Sequence, residues 1–332
     1  MACYKPLVAY QNIISGAVAF HNEKRYGDTK QILLPCGRCT GCKLQRANDW
    51  ATRCGHEASL HEHNAYITLT WNEKKLETQT LCHDDWQRFA KRLRKALTSI
   101  RYANTINISE SLYTILAEDG HTALGLRPIP QLKYYMAGEY GTKGRRPHFH
   151  ACLFGIDFAD KKKHSTNLYN DILYTSATLD KIWGNGFTTI GKVTYESAAY
   201  IARYILDKKT GDEAAKHYEY VDQNTGEITQ LKPEYNRMSL AEGIGKQWLN
   251  KYMSDVYKDN NTGAVITRGK PNKAPKYYDK IYKKKARNKY DEMKERREYE
   301  AYKQQGDNTD DRLATKEKVK QAQLNQIQRK LL

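Results

Sequence analysis

No apolar run in this 332-residue chain reaches the 18 or so residues that a membrane-spanning helix requires. The opening residues Met1-Ala-Cys-Tyr-Lys-Pro6 lack the apolar core of a secretory signal. A Gly-x4-Gly-Lys-Ser/Thr phosphate loop is absent too, so no nucleotide-driven motor is expected from these residues. No internal repeat is visible. Acidic residues are in short supply: 38 Asp and Glu stand against 55 Lys and Arg, a formal net charge of +17. Such an excess points to a polyanionic partner, and without a membrane-directed segment that partner is expected to be nucleic acid. Cysteines number seven, an odd count in a chain without a secretory signal. They argue for a reducing compartment, with metal ligands or free thiols in place of disulfides. The expectation is a soluble cytosolic protein that handles nucleic acid.

The chain is long enough for one large domain or two modest ones. Residues 1–60 hold five of the seven cysteines and form a Cys-rich N-terminal segment expected to pack on the core. Asn64–Trp71 alternates Ile67, Leu69 and Trp71 with polar-tipped Tyr66, Thr68 and Thr70, the pattern of a half-buried strand. From about His83 the spacing predicts a helix with Trp86, Phe89, Ala90, Leu93 and Leu97 on its apolar stripe, and Asp84 and Asp85 at its N-terminus. Residues 133–140 and 147–154 read as strands of a hairpin around a Gly-containing loop. Tyr195–Lys208 reads as a helix with Thr194 as N-cap and Glu196 in its first turn. Strands interleaved with helices in this order indicate an α+β fold built on an antiparallel sheet. The core is placed at residues 61–215 and a C-terminal extension of it at 216–280, within which 259–276 is expected to be loop. Residues 281–332 read as a basic tail, helical or disordered.

Alternate side chains of a strand share a face, so His148 and His150 project together while Phe149 points into the core. Two adjacent imidazoles are half of a divalent-metal site, and Glu139, across the predicted hairpin, is the best-placed carboxylate for a third ligand. The His-x-His spacing alone fits a chance pair on a solvated face. Tyr200, Tyr204 and Lys208 fall at i, i+4 and i+8, within an arc of roughly 80° at 100° per residue. Ala198, Ile201, Ala202 and Ile205 occupy the adjoining arc, suited to packing on a sheet. Tyrosines at this spacing ordinarily pack or rim a core, and the chain has 25 of them. Taken together, the two patterns describe a metal-dependent DNA nickase. A phenol near a cation and a lysine ionises more readily, attacks a phosphate and leaves a 5′-phosphotyrosyl link with a free 3′-OH. Lys208 would assist at the phosphate. Lys143, Arg145 and Arg146 in the hairpin loop, and basic residues along 84–98, are candidates for holding DNA phosphates.

Cys36, Cys39 and Cys42 sit close enough to wrap one metal ion, with Cys3 or Cys54 as the fourth thiolate. Structural zinc ranks first, an iron–sulfur cluster second, free thiols third. Cys82 and Cys152 read as ordinary buried residues. His56, His61 and His63 read as solvated or helix-capping histidines.

These residues resemble the replication initiators of small single-stranded DNA phages, the microviruses, and most closely their gokushovirus branch within the HUH endonucleases. The resemblance rests on Tyr66–Trp71, on Gly138-Glu-Tyr-Gly141 with Gly144–Gly155, and on Ala199–Lys208. Pro35–Lys43, Gly243-Ile-Gly245 and Pro275–Asp279 add to it, so that it covers most of 1–280. It implies a ferredoxin-like or RRM-like antiparallel sheet and rolling-circle replication begun by nicking origin DNA. Mg²⁺ or Mn²⁺ would then be held by His148, His150 and Glu139. Tyr200 or Tyr204 would make the first cut and the other the second, in a bacterial host's cytoplasm with a borrowed helicase and polymerase. Rival readings are a plasmid initiator, relaxase or transposase with the same site, and a non-enzymatic single-stranded DNA-binding protein.

Overall fold

The computed structural model describes residues 3–21, 27–114, 131–141, 144–167, 170–207, 212–221, 225–258 and 262–329. The chain divides into two compact units, one of residues 1–47, 257–264 and 279–332, the other of 48–256 and 265–278. Helix α1 (Thr40–Ala58) begins in the first and ends in the second. Among the described residues no helix is long and apolar enough to cross a membrane.

In the larger unit the strict alternation of β1 (Asn64–Trp71) buries Ala65, Ile67, Leu69 and Trp71, while Tyr66, Thr68 and Thr70 face the other way. β2 (Lys133–Tyr140) and β3 (Pro147–Phe154) form the expected hairpin, with Glu139 opposite His148 and Ala137 opposite His150. With β4 (Lys162–Thr166), β5 (Ile172–Thr175), β6 (Gly186–Gly191) and β7 (Tyr235–Met238) they make a seven-stranded sheet, order β7-β2-β3-β1-β6-β5-β4. Every pairing is antiparallel. The fold is therefore α+β with a large antiparallel sheet and flanking helices.

One face of this sheet carries the core. α2 (His83–Leu97) turns Trp86, Phe89, Ala90, Leu93, Ala96 and Leu97 inward, and each large side chain so buried stabilises by roughly 1.5–3 kcal/mol. α3 (Ala177–Trp183) adds Trp183, whose ring meets Trp71 edge-on at 4.8 Å. Arg92 of α2 donates to the carbonyls of Ile182 (2.6 Å) and Trp183 (2.5 Å), the acceptors left open at the end of α3. That arginine is thus a helix cap, a correction to its reading as a phosphate ligand. The turn out of β3 needs glycine: Gly155 has φ +74°, and a Cβ there would stand 2.5 Å from Leu112 Cγ.

The opposite face receives α4 (Tyr195–Asp207), which buries Ala198, Ala199, Ile201 and Ala202 against β2, β3 and β7. Its start is fixed reciprocally: Ser197 N–H donates to Thr194 Oγ1 at 3.1 Å, and Thr194 N–H to Ser197 Oγ at 2.8 Å. α5 (Lys246–Val256) follows β7.

In the smaller unit Leu7–Asn12 pairs with Val18–Ala19 and with Thr29–Leu34 in a three-stranded antiparallel sheet. Helices α6 (Lys276–Lys285), α7 (Arg287–Lys303) and α8 (Asp310–Arg329) follow. Arg297 grips buried Asp279 with two hydrogen bonds, of 2.7 and 3.1 Å, and Met293 and Leu313 are buried.

Three local expectations fail. The supposed loop at 259–276 contains a hairpin, Ala264–Thr267 with Lys270–Lys273. Cys82 is only half-buried, just ahead of α2. His61 is neither solvated nor a cap: it is buried against Glu57 (3.2 Å), which also accepts from buried Lys133 (2.9 Å) and from the Gly245 N–H (2.7 Å). His56 lies flat on Trp248, ring centroids 3.4 Å apart.

Candidate metal centre and nucleophile

β3 lies between β2 and β1, so its polar face is read from both sides. Glu139 opposes His148 from β2; Thr70 opposes His148, and Thr68 opposes His150, from β1. Residues in register share a face, which gathers one carboxylate, two imidazoles and two hydroxyls on one small patch of sheet. Glu139 and His150 are buried and His148 half-buried. The Nε2 atoms of both rings converge on one carboxylate oxygen, Glu139 Oε1: His150 at 2.7 Å, and His148 closer still. Glu139, His148 and His150 together present one ligand atom each at metal-binding separation.

The opposite edge of each imidazole decides its tautomer. His148 Nδ1 is 3.2 Å from the Arg146 carbonyl, which can only accept, so Nδ1 carries the proton. His150 Nδ1 is 2.9 Å from Thr68 Oγ1 and 3.0 Å from Tyr66 Oη. With Nδ1 protonated, a neutral ring turns a bare Nε2 lone pair toward a carboxylate oxygen. Only a proton or a cation between them makes that arrangement favourable. Burial pushes the His150 pKa down despite Glu139 beside it, which favours the neutral ring. Burial also opposes ionisation of Glu139, yet His150 and His148 hold its carboxyl below the ordinary range. Glu139 Oε2, buried as well, has no hydrogen-bond partner. Neutral imidazoles, an ionised carboxylate and an orphaned buried oxygen are the donor set a divalent cation needs.

Helix α4 brings a phenol to this group. The Tyr200 ring stands edge-on to the His150 ring, centroids 5.3 Å apart, and Tyr200 is 43% exposed, so it borders the site from the solvent side. Tyr204 follows one turn later on α4, its side chain outside the described residues, as are Lys143 and Lys208 altogether. Arg145 and Arg146 are already engaged: Arg145 donates to the carbonyls of His217 (2.9 Å) and Glu219 (3.3 Å), and Arg146 pairs with Glu73. Of the two candidates for the fourth thiolate, Cys3 joins Cys36, Cys39 and Cys42 in the smaller unit. Cys54 is fully buried in the larger one. The residues that sequence reasoning missed are Tyr66 and Thr68, whose alternation marked them as polar-face residues but named no partner.

Residues 64–210 match a family of replication-associated proteins, the one described by its ORF2 members. The chain is 30% identical over 316 residues to the replication-associated protein ORF2 of Spiroplasma virus 4, covering 90% of this chain and 86% of that one. With the replication-associated protein VP4 of Bdellovibrio phage phiMH2K it shares 29% identity over 284 residues, 86% of this chain and 78% of the other. Against the replication-associated protein ORF4 of Chlamydia phage 1 the figures are 24% over 267 residues, 78% and 56%. No solved structure matches the chain.

Proposed function

The chain belongs to the phage replication-associated proteins, the microvirus-type replication initiators, and from that premise we propose that it starts rolling-circle replication by nicking origin DNA with a tyrosine. The observation that carries this reading is the 5.3 Å approach of the Tyr200 ring to His150, a member of the Glu139–His148–His150 group. Tyr200 Oη attacks the scissile phosphorus and loses its proton to solvent. The bond to the 3′ oxygen breaks, that oxygen takes up a proton, and a 5′-phosphotyrosyl link remains. A divalent cation, Mg²⁺ or Mn²⁺, held by Glu139, His148 and His150 would supply positive charge at the non-bridging and leaving oxygens.

Tyr204, presented by the same helix, performs the second transfer, with Lys208 at the phosphate. Arg145 and Arg146 hold the neighbouring backbone only with those donors their protein partners leave open. Single-stranded origin DNA is the substrate, in the host bacterium's cytoplasm, where a host helicase and polymerase complete the work. The test is to incubate the protein with Mn²⁺ and a labelled origin strand and to look for an adduct that survives denaturant. It should form with the native chain and vanish in the Tyr200→Phe, Tyr204→Phe double variant; an adduct persisting there overturns the assignment. Tight binding with no adduct in any variant would leave the single-strand-binding rival standing.

A further inference from the structure

The smaller unit contains a second constellation that the nicking chemistry does not use. Cys3 precedes strand Leu7–Asn12; Cys36 follows strand Thr29–Leu34; Cys39 and Cys42 flank the start of α1. The strands pair with Leu7 opposite Leu34, so Cys3 and Cys36 lie at the open end of one antiparallel ladder. All four sulfur atoms come within 4.8 Å of one another, and Cys3 Sγ is 3.8 Å from Cys39 Sγ. From these separations we infer that Cys3, Cys36, Cys39 and Cys42 form a closed tetrahedral thiolate site for one zinc ion.

Tetrahedral zinc with Zn–S bonds of about 2.3 Å spaces its sulfurs about 3.8 Å apart, the separation seen between Cys3 and Cys39. A disulfide needs about 2.05 Å, and the four thiols are free. A four-iron cluster fills the centre of its thiolate cage and spreads the sulfurs further than one ion does. The backbone is arranged for anionic sulfur as well. Tyr4 N–H donates to Cys39 Sγ, Cys36 N–H to Cys3 Sγ and Cys39 N–H to Cys36 Sγ, each at 3.3 Å. Gly37, at φ +74°, makes the tight turn between Cys36 and Cys39. On binding, Zn²⁺ replaces the four thiol protons, and these N–H donors spread the remaining negative charge.

The unit also needs what such an ion provides. In its three-stranded sheet Leu7, Val8, Val18 and Leu33 are all nearly half-exposed, and only Ala9 is fully buried. Apolar burial therefore does little to hold these strands to α1. One ion joining the ladder's open end to the helix start does so instead.

Elemental analysis of the His148→Ala, His150→Ala double variant, purified without added metal, separates this site from the nicking centre. One equivalent of zinc should remain there and disappear in Cys36→Ser, Cys42→Ser. Should the cysteine variant fail to fold, cobalt substitution of the native chain decides. It should give the intense visible bands and near-ultraviolet sulfur-to-cobalt absorption of a tetrahedral thiolate. Stripping the zinc should speed amide exchange at 7–12 and 29–34 at least 10-fold while β1 and β3 keep their protection. Iron at this site, thiols that all react in the native metal-free protein, or zinc retained after both serine substitutions would each overturn the assignment.

Discussion

Tyr66 and Thr68 touch no phosphate and occupy no ligand position, yet their hydroxyls accept the proton that fixes which way His150 offers its lone pair. Burial, and next Tyr200, Cys152 and Glu139 nearby, push the Tyr66 phenol well above its ordinary pKa, so it stays a neutral hydroxyl. Partners of this kind typically change metal affinity 10- to 100-fold. Tyr66→Phe or Thr68→Val alone leaves Nδ1 one acceptor and should cost little. The double variant should bind Mn²⁺ roughly 10-fold or more weakly by titration; native affinity there would show the hydroxyls to be packing alone. A different residue sets the acid limit of the fold. Burial beside Trp248 and Tyr278 pushes the His56 pKa down to about 4. Between there and the ordinary value near 6.5 the unfolded chain binds a proton that the folded chain refuses. Stability from neutral His56 is therefore complete above about pH 6.5 and is lost as pH falls toward 4, by on the order of 3 kcal/mol. Urea unfolding across that window should show the slope, and His56→Phe, which keeps the stack, should flatten it by one proton.

Elements were legible where one face is buried, because period then reports the face. β1 and α2 carry their apolar residues where the alternation and the helical stripe put them, and the β2–β3 hairpin turns where its glycines predicted. Pairing was not legible. That β1 lies beside β3, so that Thr68 faces His150, depends on contacts more than 80 residues apart in the chain, which no local pattern encodes. The Ala264–Thr267 and Lys270–Lys273 hairpin escaped for another reason. Its strands are four residues each, too short for a period, and its turn uses Arg268 and Gly269, both at positive φ. Glu57 and Lys133 escaped because charged residues are expected outside. Their buried pair joins α1 to β2, and Glu57, although burial resists its ionisation, is held below the usual carboxylate range by His61 and Lys133. Lys133→Met strands that carboxylate and should cost roughly 3–5 kcal/mol in urea unfolding. Adding Glu57→Leu should recover much of it; no loss on Lys133→Met would mean that the pair holds nothing.

Across the whole molecule, charge and chemistry are carried by different residues. The +17 net charge is spread over 55 lysines and arginines, whereas the proposed cutting group is three side chains on two strands and a phenol on a helix. Polyanion affinity arises from counterions released by many phosphate contacts, so it falls steeply with salt whatever happens at a few buried residues. Removing two neutral imidazoles changes none of those contacts. His148→Ala with His150→Ala should therefore retain labelled origin strand with the native dependence of log affinity on log salt, while adduct formation drops below detection. The slope is the discriminating quantity, because a misfolded variant loses phosphate contacts and flattens it. A variant that cuts as well as the native chain removes the imidazoles from the chemistry. One that neither cuts nor binds, with an altered slope, makes the histidines part of the DNA-holding surface, and the separation of grip from chemistry fails with it.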